Sequence, residues 1–284
     1  MDTSNVRDAI VRIKDLPTLP SVLGKILATA ADPDASALDL GQHIAADQSL
    51  SATLLKLVNS AYYGFYRQIK SVTQAIVMLG FLEVRNLALT ATAFRTLGTG
   101  SSTDYDRMQL WRHSLATALA ADRCAQILGL KAVGCFEAGL LHDIGRVALD
   151  MLYTEEFQEA TNKAHSQGVH IIEAEAEVFG MNHAEVGGIL GEHWNLPPGV
   201  VEAIRCHHAP EEAAIEPHLA QVAAVSNYIT YGAELGEVGT GCPPEYPAAA
   251  VESLGLTVEQ CNEIGDELQK SQEKIDEFIG ALED

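Results

Sequence analysis

EAGLLHDIGRVALD, residues 137–150, decides how the rest of the chain is read. Its centre, Ala138 to Leu149, is mostly apolar and belongs in a core, yet His142 and Asp143 sit side by side within it. Burying an unpaired carboxylate costs far more than one turn of helix returns, so a buried acid is paired or sits on a metal. The stretch reads as helix, where neighbouring residues point about 100° apart. His142 and Asp143 therefore cannot both aim squarely at one central ion. They can bracket it, and the two oxygens of Asp143 could bridge two ions. The metal-free alternative is a buried ion pair or a helix cap.

Working outward, other histidines fall in helical segments of the same half of the chain. His113 lies in LWRHSLATALA, His183 in GMNHAEVGGILGEHW, and His207 and His208 close PPGVVEAIRCHH. Asn227 is a lone amide in the apolar stretch AQVAAVSNYIT. Imidazole and carboxylate together suit iron, manganese, zinc or nickel. Facing helices of a bundle are a known way to assemble such a ligand set. His43, His165, His170, His193 and His218 are read as ordinary surface or core histidines, with His193 packing beside Trp194.

Composition sets the frame. The 284 residues allow one large domain or two smaller ones, and 47% apolar against 20% charged residues is enough for a sizeable core. With 18 basic and 39 acidic residues the net charge is −21, which repels phosphate backbones, so direct nucleic-acid binding is not expected. The densest basic neighbourhood, Arg67 to Lys70, carries two charges. MDTSNVRDAIVRIKDLP at the N-terminus is charged throughout, and no apolar run reaches the roughly 20 residues of a membrane span. The five cysteines form no C-x-x-C pair. They read as reduced thiols of a cytoplasmic protein, Cys206 included, although it neighbours the candidate ligands.

Almost every segment has helical spacing, so the expected class is all-α, a multi-helix bundle. Leu50, Leu54, Leu57 and Val58 form one apolar stripe, and Ala75, Ile76, Leu79 and Leu82 another. Thr257-Val-Glu-Gln260 fits a capping box, and Pro197-Pro198 opens a helix expected to run to His208 before Pro210 stops it. TLGTGSSTD, residues 96–104, reads as a linker. It divides an N-terminal helical subdomain (1–100), expected to pack on its neighbour, from a C-terminal helical domain (101–284) carrying the metal ligands. GTGCPPEYP, residues 239–247, is a smaller loop before the last helices. QCNEIGDELQKSQEKIDEFIGALED reads as one amphipathic helix that either closes the fold or docks a partner.

The order His113, His142-Asp143, His183, His207/His208 resembles the HD superfamily of metal-dependent phosphohydrolases, through LLHDIG, NHAEVGGILGEHWNLPP and AIRCHH. The first block is similar to the HDOD domain, a bacterial signalling-output relative of those hydrolases. Its characteristic pieces are Leu16-Pro17-x-Leu19-Pro20, Asp47-x-x-Leu50, Leu54-Leu55, Asn59-Ser60-Ala61 and Ala75-Ile76-x-x-Leu79-Gly80. The resemblance spans about residues 12 to 235. Each piece also has a plain structural reading. The Leu-Pro repeat is an extended lead-in to a helix. Asn59-Ser60-Ala61 with Tyr62 to Tyr66 is a helix end with a packed aromatic loop, or else a partner surface.

The resemblance implies a divalent transition metal held by His113, His142, Asp143, His183, His207 and His208. Iron is the first choice because HD sites resemble di-iron ones, with zinc, manganese and nickel open. In the hydrolases a final Asp closes the first ion's ligand set, and the aligned residue here is Asn227, a neutral and weaker ligand. The second ion keeps Asp143, His183 and His207 or His208. The Gly-Tyr-Pro loop of the cyclic-di-GMP phosphodiesterase branch is missing, and its Lys after HDIG is Arg146 here. Arg146 could fork onto a phosphate or pair with Glu137 or another carboxylate. Two functions follow. One is a regulatory signalling module that binds a signalling protein or a small phosphate-containing ligand. The other is a phosphohydrolase in which His142, Asp143 and His113 hold the ions while Arg146 or Lys131 steadies the phosphate.

Overall fold

The computed structural model of the chain describes residues 21–31, 36–60, 62–98, 106–130, 134–236 and 241–283. The Leu16 to Pro20 motif, Ala61, Lys131 and most of the 96–104 linker lie outside them. Among the described residues all regular structure is helical. No helix among them is long and apolar enough to cross a membrane. They fall into two compact units, one drawn from Pro17–Thr99 with Ser271–Asp284, the other from Gly100–Lys270.

The smaller unit begins with α1 (Ser21–Ala31), α2 (Ala37–Ala45), α3 (Gln48–Val58), α4 (Val72–Leu79) and α5 (Phe81–Leu97). Polar caps start three of them. Ser36 and Asp39 form a capping box on α2, Asp47 accepts from Leu50 N at 2.9 Å on α3, and Ser71 caps α4. Leu50, Leu54, Leu57 and Val58 are fully buried. The second expected stripe is interrupted. Gly80, at φ 91°, separates α4 from α5, so Leu82 starts a new helix and stays exposed while Ala75 and Ile76 are buried. Asn59 explains its own motif. Its amide donates to Leu55 O (2.7 Å) and Ile69 O (2.9 Å) and accepts from Ile69 N (2.7 Å), clamping the aromatic loop to the end of α3.

The larger unit comprises α6 (Arg107–Leu128), α7 (Cys135–Leu141), α8 (Ile144–Leu152), α9 (Thr154–Gln167), α10 (Ile171–Phe179), α11 (His183–His193), α12 (Pro198–Cys206), a 3-10 turn (Pro210–Glu212), α13 (Pro217–Gly232), α14 (Ala248–Leu254) and α15 (Val258–Lys270). α6 packs on α7 and α13, α11 on α8 and α12, and α12 on α13 and α7. Glycine allows the closest of these approaches. A Cβ on Gly145 would stand 1.9 Å from His183 O, so α8 meets the backbone of α11 directly.

α16 (Gln272–Glu283) completes the list and corrects two expectations. The C-terminal amphipathic stretch is two helices, not one. Its second half groups with the smaller unit, packing on α3 and α5 rather than continuing the 101–284 domain. The reason is apolar: Ile275, Phe278 and Ile279 are buried, and Phe278 lies edge-on to Tyr62 at 5.4 Å. Tyr62 therefore packs, whereas Tyr66 is fully exposed.

Candidate metal centre

The opening stretch is buried throughout, as its composition requires, but it is two helices. α7 ends at Leu141 and α8 starts at Ile144, with His142 as the C-cap of one and Asp143 as the N-cap of the other. This replaces the continuous helix read from the sequence. The break frees both side chains from helical spacing, and they point into one space. Likewise α12 stops at Cys206, not His208, leaving His207 as its C-cap and His208 in the following turn.

Asp143 is 4% exposed and stands at the centre. Its Oδ1 lies 3.0 Å from His183 Nε2 and 3.6 Å from His207 Nε2. Its Oδ2 lies 3.5 Å from His142 Nε2 and accepts from Arg146 Nη1 at 3.3 Å. Arg146 thus turns to Asp143 rather than to Glu137, whose Oε2 instead accepts from Gly134 N. His208 Nε2 is 3.0 Å from His183 Nε2. Asp143, His183, His207 and His208 offer ligand atoms all within 4.8 Å of one another, and so do His113, His142 and Asp143.

Protons decide what these distances mean. His142 Nδ1 faces Gly139 O at 2.8 Å, His207 Nδ1 faces Ile204 O at 2.7 Å, and His183 Nδ1 faces Glu175 Oε2 at 2.7 Å. A carbonyl or carboxylate oxygen can only accept, so each Nδ1 carries a proton. In the neutral ring Nε2 is then a bare lone pair. Three such lone pairs face the oxygens of Asp143, and the Nε2 atoms of His142 and His207 have no hydrogen-bond partner. Acceptors facing acceptors in a buried space call for a cation between them. The donor set of imidazole and carboxylate fits a divalent transition ion. Glu175 behind His183 is the second carboxylate that such sites use to orient a ligating ring.

His113 differs. It is fully buried, but its Nε2 donates to Asn227 Oδ1 at 2.9 Å, the opposite tautomer, and its Nδ1 has no hydrogen-bond partner. The ionisation pattern agrees with this division. Burial pulls His113 down to about 4 and holds His142, His207 and His208 low as well. Burial opposes ionisation of Asp143 too, but His142, Arg146 and His183 outweigh it and keep the carboxyl well below its usual range. For His183, burial is overcome by the charges of Glu175 and Asp143, which push it up to about 9.

Two residues escaped the sequence reading. Glu175 shares the inward face of α10 with Ile171, Ala174 and Phe179, an acid where that face is otherwise apolar. His170 caps α10, and its ring stands 5.1 Å from that of His208. A cavity of about 540 Å³ opens over the centre, reached by His170, His207, His208 and Asn227. Cys206 is a buried free thiol, as expected of a core residue.

A profile of the HDOD domain matches residues 16–210. A protein of Treponema pallidum (strain Nichols) is 34% identical over 209 residues, 71% of this chain, and the chain spans 40% of that protein's length. Among solved structures, an HDOD domain protein from Geobacter sulfurreducens is 26% identical with a TM-score of 0.81, over 99% of this chain and 97% of that one. A candidate signal transduction protein from Marinobacter aquaeolei VT8 (23% identical, TM-score 0.84, 100% and 67% covered) shares the fold. So does a candidate phosphohydrolase from Shewanella amazonensis SB2B (22% identical, TM-score 0.76, 96% and 98% covered). With its helical architecture, its HD-type histidine order and a profile match over more than half its length, the chain belongs to the HDOD domain family.

Proposed function

We propose that this protein is a cytoplasmic, bacterial signal-output module that acts by binding, through an HD-type centre holding one divalent transition ion, rather than by hydrolysis. Asp143, His183, His207 and His208 would hold the ion, with iron the first choice and zinc, manganese or nickel the alternatives. When bound it supplies a local double positive charge and a Lewis acid. One observation carries the reading: His113 spends its Nε2–H on Asn227 Oδ1. The half of the centre that would need a second acid is closed by a neutral hydrogen bond. A pair of bridged ions, the usual device for in-line attack on phosphorus, lacks its second seat. Elemental analysis of the purified chain should find about one transition ion, lost in His183→Ala. A panel of nucleotides and cyclic dinucleotides with Mn²⁺ or Fe²⁺ should give no turnover. Asn227→Asp should raise the metal content towards about two ions. Turnover by the wild-type protein that disappears in Asp143→Ala, with the fold intact, refutes the proposal.

The phosphohydrolase reading rests on the second trio, His113, His142 and Asp143, which stays within ligand distance. Arg146, its candidate phosphate anchor, is buried and hydrogen-bonded to Asp143.

A further inference from the structure

The cavity over the centre has a chemical character of its own. Its floor is His207, His208 and Asn227. His207 is 2% exposed, and its unpartnered Nε2 belongs to this floor. Its mouth carries Glu173, Glu211 and Glu245, all exposed, from three separate elements: α10, the 3-10 turn and the loop before α14. Among the described residues no lysine or arginine lines it. One wall is Pro243, Pro244 and Tyr246, a segment stiffened by proline, and the Tyr246 ring is braced edge-on by Tyr228 at 5.3 Å. About 540 Å³ is the size of a small-molecule site.

A phosphate approaching this mouth meets three like charges and no cation to fork onto it. A bound ion does not reverse this, because its charge is already matched by Asp143 and Glu175 beneath. An ammonium meets the opposite field, together with the face of a tyrosine, which attracts organic cations. We propose that the cavity binds a small amine-bearing molecule, its ammonium held by Glu173, Glu211 and Glu245 against Tyr246 and its other end directed at the His207–His208 floor. This deepens the binding-module reading and rests on it. It replaces the small phosphate-containing ligand with an organic cation.

The test is calorimetric titration of the full chain, loaded with Zn²⁺ and checked by elemental analysis, with spermidine and separately with 5′-AMP. Spermidine should bind, and 5′-AMP should bind more weakly. In Glu173→Gln/Glu211→Gln/Glu245→Gln the spermidine Kd should rise about tenfold, the combined strength of three exposed pairs. Glu252→Gln/Glu259→Gln/Glu263→Gln removes the same charge from exposed positions outside the cavity. It should change the Kd by less than about twofold, since distant charges are screened. Three results overturn the proposal: no spermidine binding, equal losses in the two triple variants, or 5′-AMP binding the wild type more tightly than spermidine does. The mouth glutamates hold no ion, so a chain that takes up no Zn²⁺ refutes the metal centre, while the paired triple variants still judge the amine site.

Discussion

Gly145→Ala tests whether the glycine of HDIG sets the geometry of the centre. The added Cβ would stand 1.9 Å from His183 O and 2.7 Å from Gly187 N, both backbone atoms. Real contacts of this kind essentially never fall below 3.0 Å, so α8 and α11 must separate by about 1 Å. Asp143 rides on the first turn of α8 and His183 on the first turn of α11, so their 3.0 Å approach opens by a similar amount. Ligand bonds to a transition ion tolerate about 0.2 Å, which puts the loss in metal affinity at roughly 100-fold or more. Overpacking of the helix interface costs about 1–3 kcal/mol, or roughly 2–12 °C in Tm for a unit of this size. Gly188→Ala is the control. Its Cβ meets only the Arg205 guanidinium, at 2.7 Å, and that long side chain can swing aside. Zn²⁺ titration and thermal melts of the three proteins decide the matter. Wild-type affinity and Tm in Gly145→Ala would refute the argument that this close approach builds the site.

Two further outcomes follow from other parts of the molecule. Glu175→Gln removes the carboxylate that accepts from both His183 N (2.8 Å) and Nδ1, and should weaken metal binding by about 10- to 100-fold with the helical fold kept, as read by metal titration alongside circular dichroism. Asp47→Ala removes the α3 cap and the 3.2 Å pair with Arg95, costing about 1 kcal/mol at neutral pH. The Asp47 carboxyl is held below its ordinary 3.8, chiefly by the Leu50 N–H, so its contribution is present above that value and fades as the pH falls through the lower folded value. Wild type and variant should therefore converge in stability in acid, and a gap that persists at the acid end would contradict the assignment.

The histidine set was legible because it lies in an order of motifs, each in a segment whose apolar period is clear. What the sequence hid is where helices break without the usual marks. Nothing at Leu141–Ile144 is a proline or a helix-ending glycine, yet the chain turns there, and this turn aims His142 and Asp143 together. Ser271 separates α15 from α16 with equally little warning, and the buried face of α16 belongs to the other unit. Glu175 was concealed by its neighbours. In IIEAEAEVF three acids alternate with apolar residues, and only the 3.6 period reveals that Glu173 and Glu177 face out while Glu175 faces in. Gly80 carried a break signal that the apolar stripe through Leu79 and Leu82 overrode, and the exposed Leu82 is the consequence.

The charge arrangement around His183 makes the last prediction. Without an ion, two buried acids, Asp143 and Glu175, bracket that one ring at 3.0 and 2.7 Å. Burial disfavours the imidazolium, but the two carboxylates prevail and raise His183 to about 9, so at neutral pH it holds a second proton on Nε2. A folded value above the ordinary 6.5 means that this proton stabilises the ion-free protein fully below about 6.5, and that the benefit is lost as the pH rises through about 9. A cation and this proton compete for the same lone pair. Metal uptake at about pH 7.5 should therefore release about one proton per ion, and almost none above about pH 10. Zn²⁺ titrations in buffers of different ionisation enthalpy measure that number directly. If no proton leaves at pH near 7.5, His183 was already neutral, and some group other than this proton balances Asp143 and Glu175 before the ion arrives.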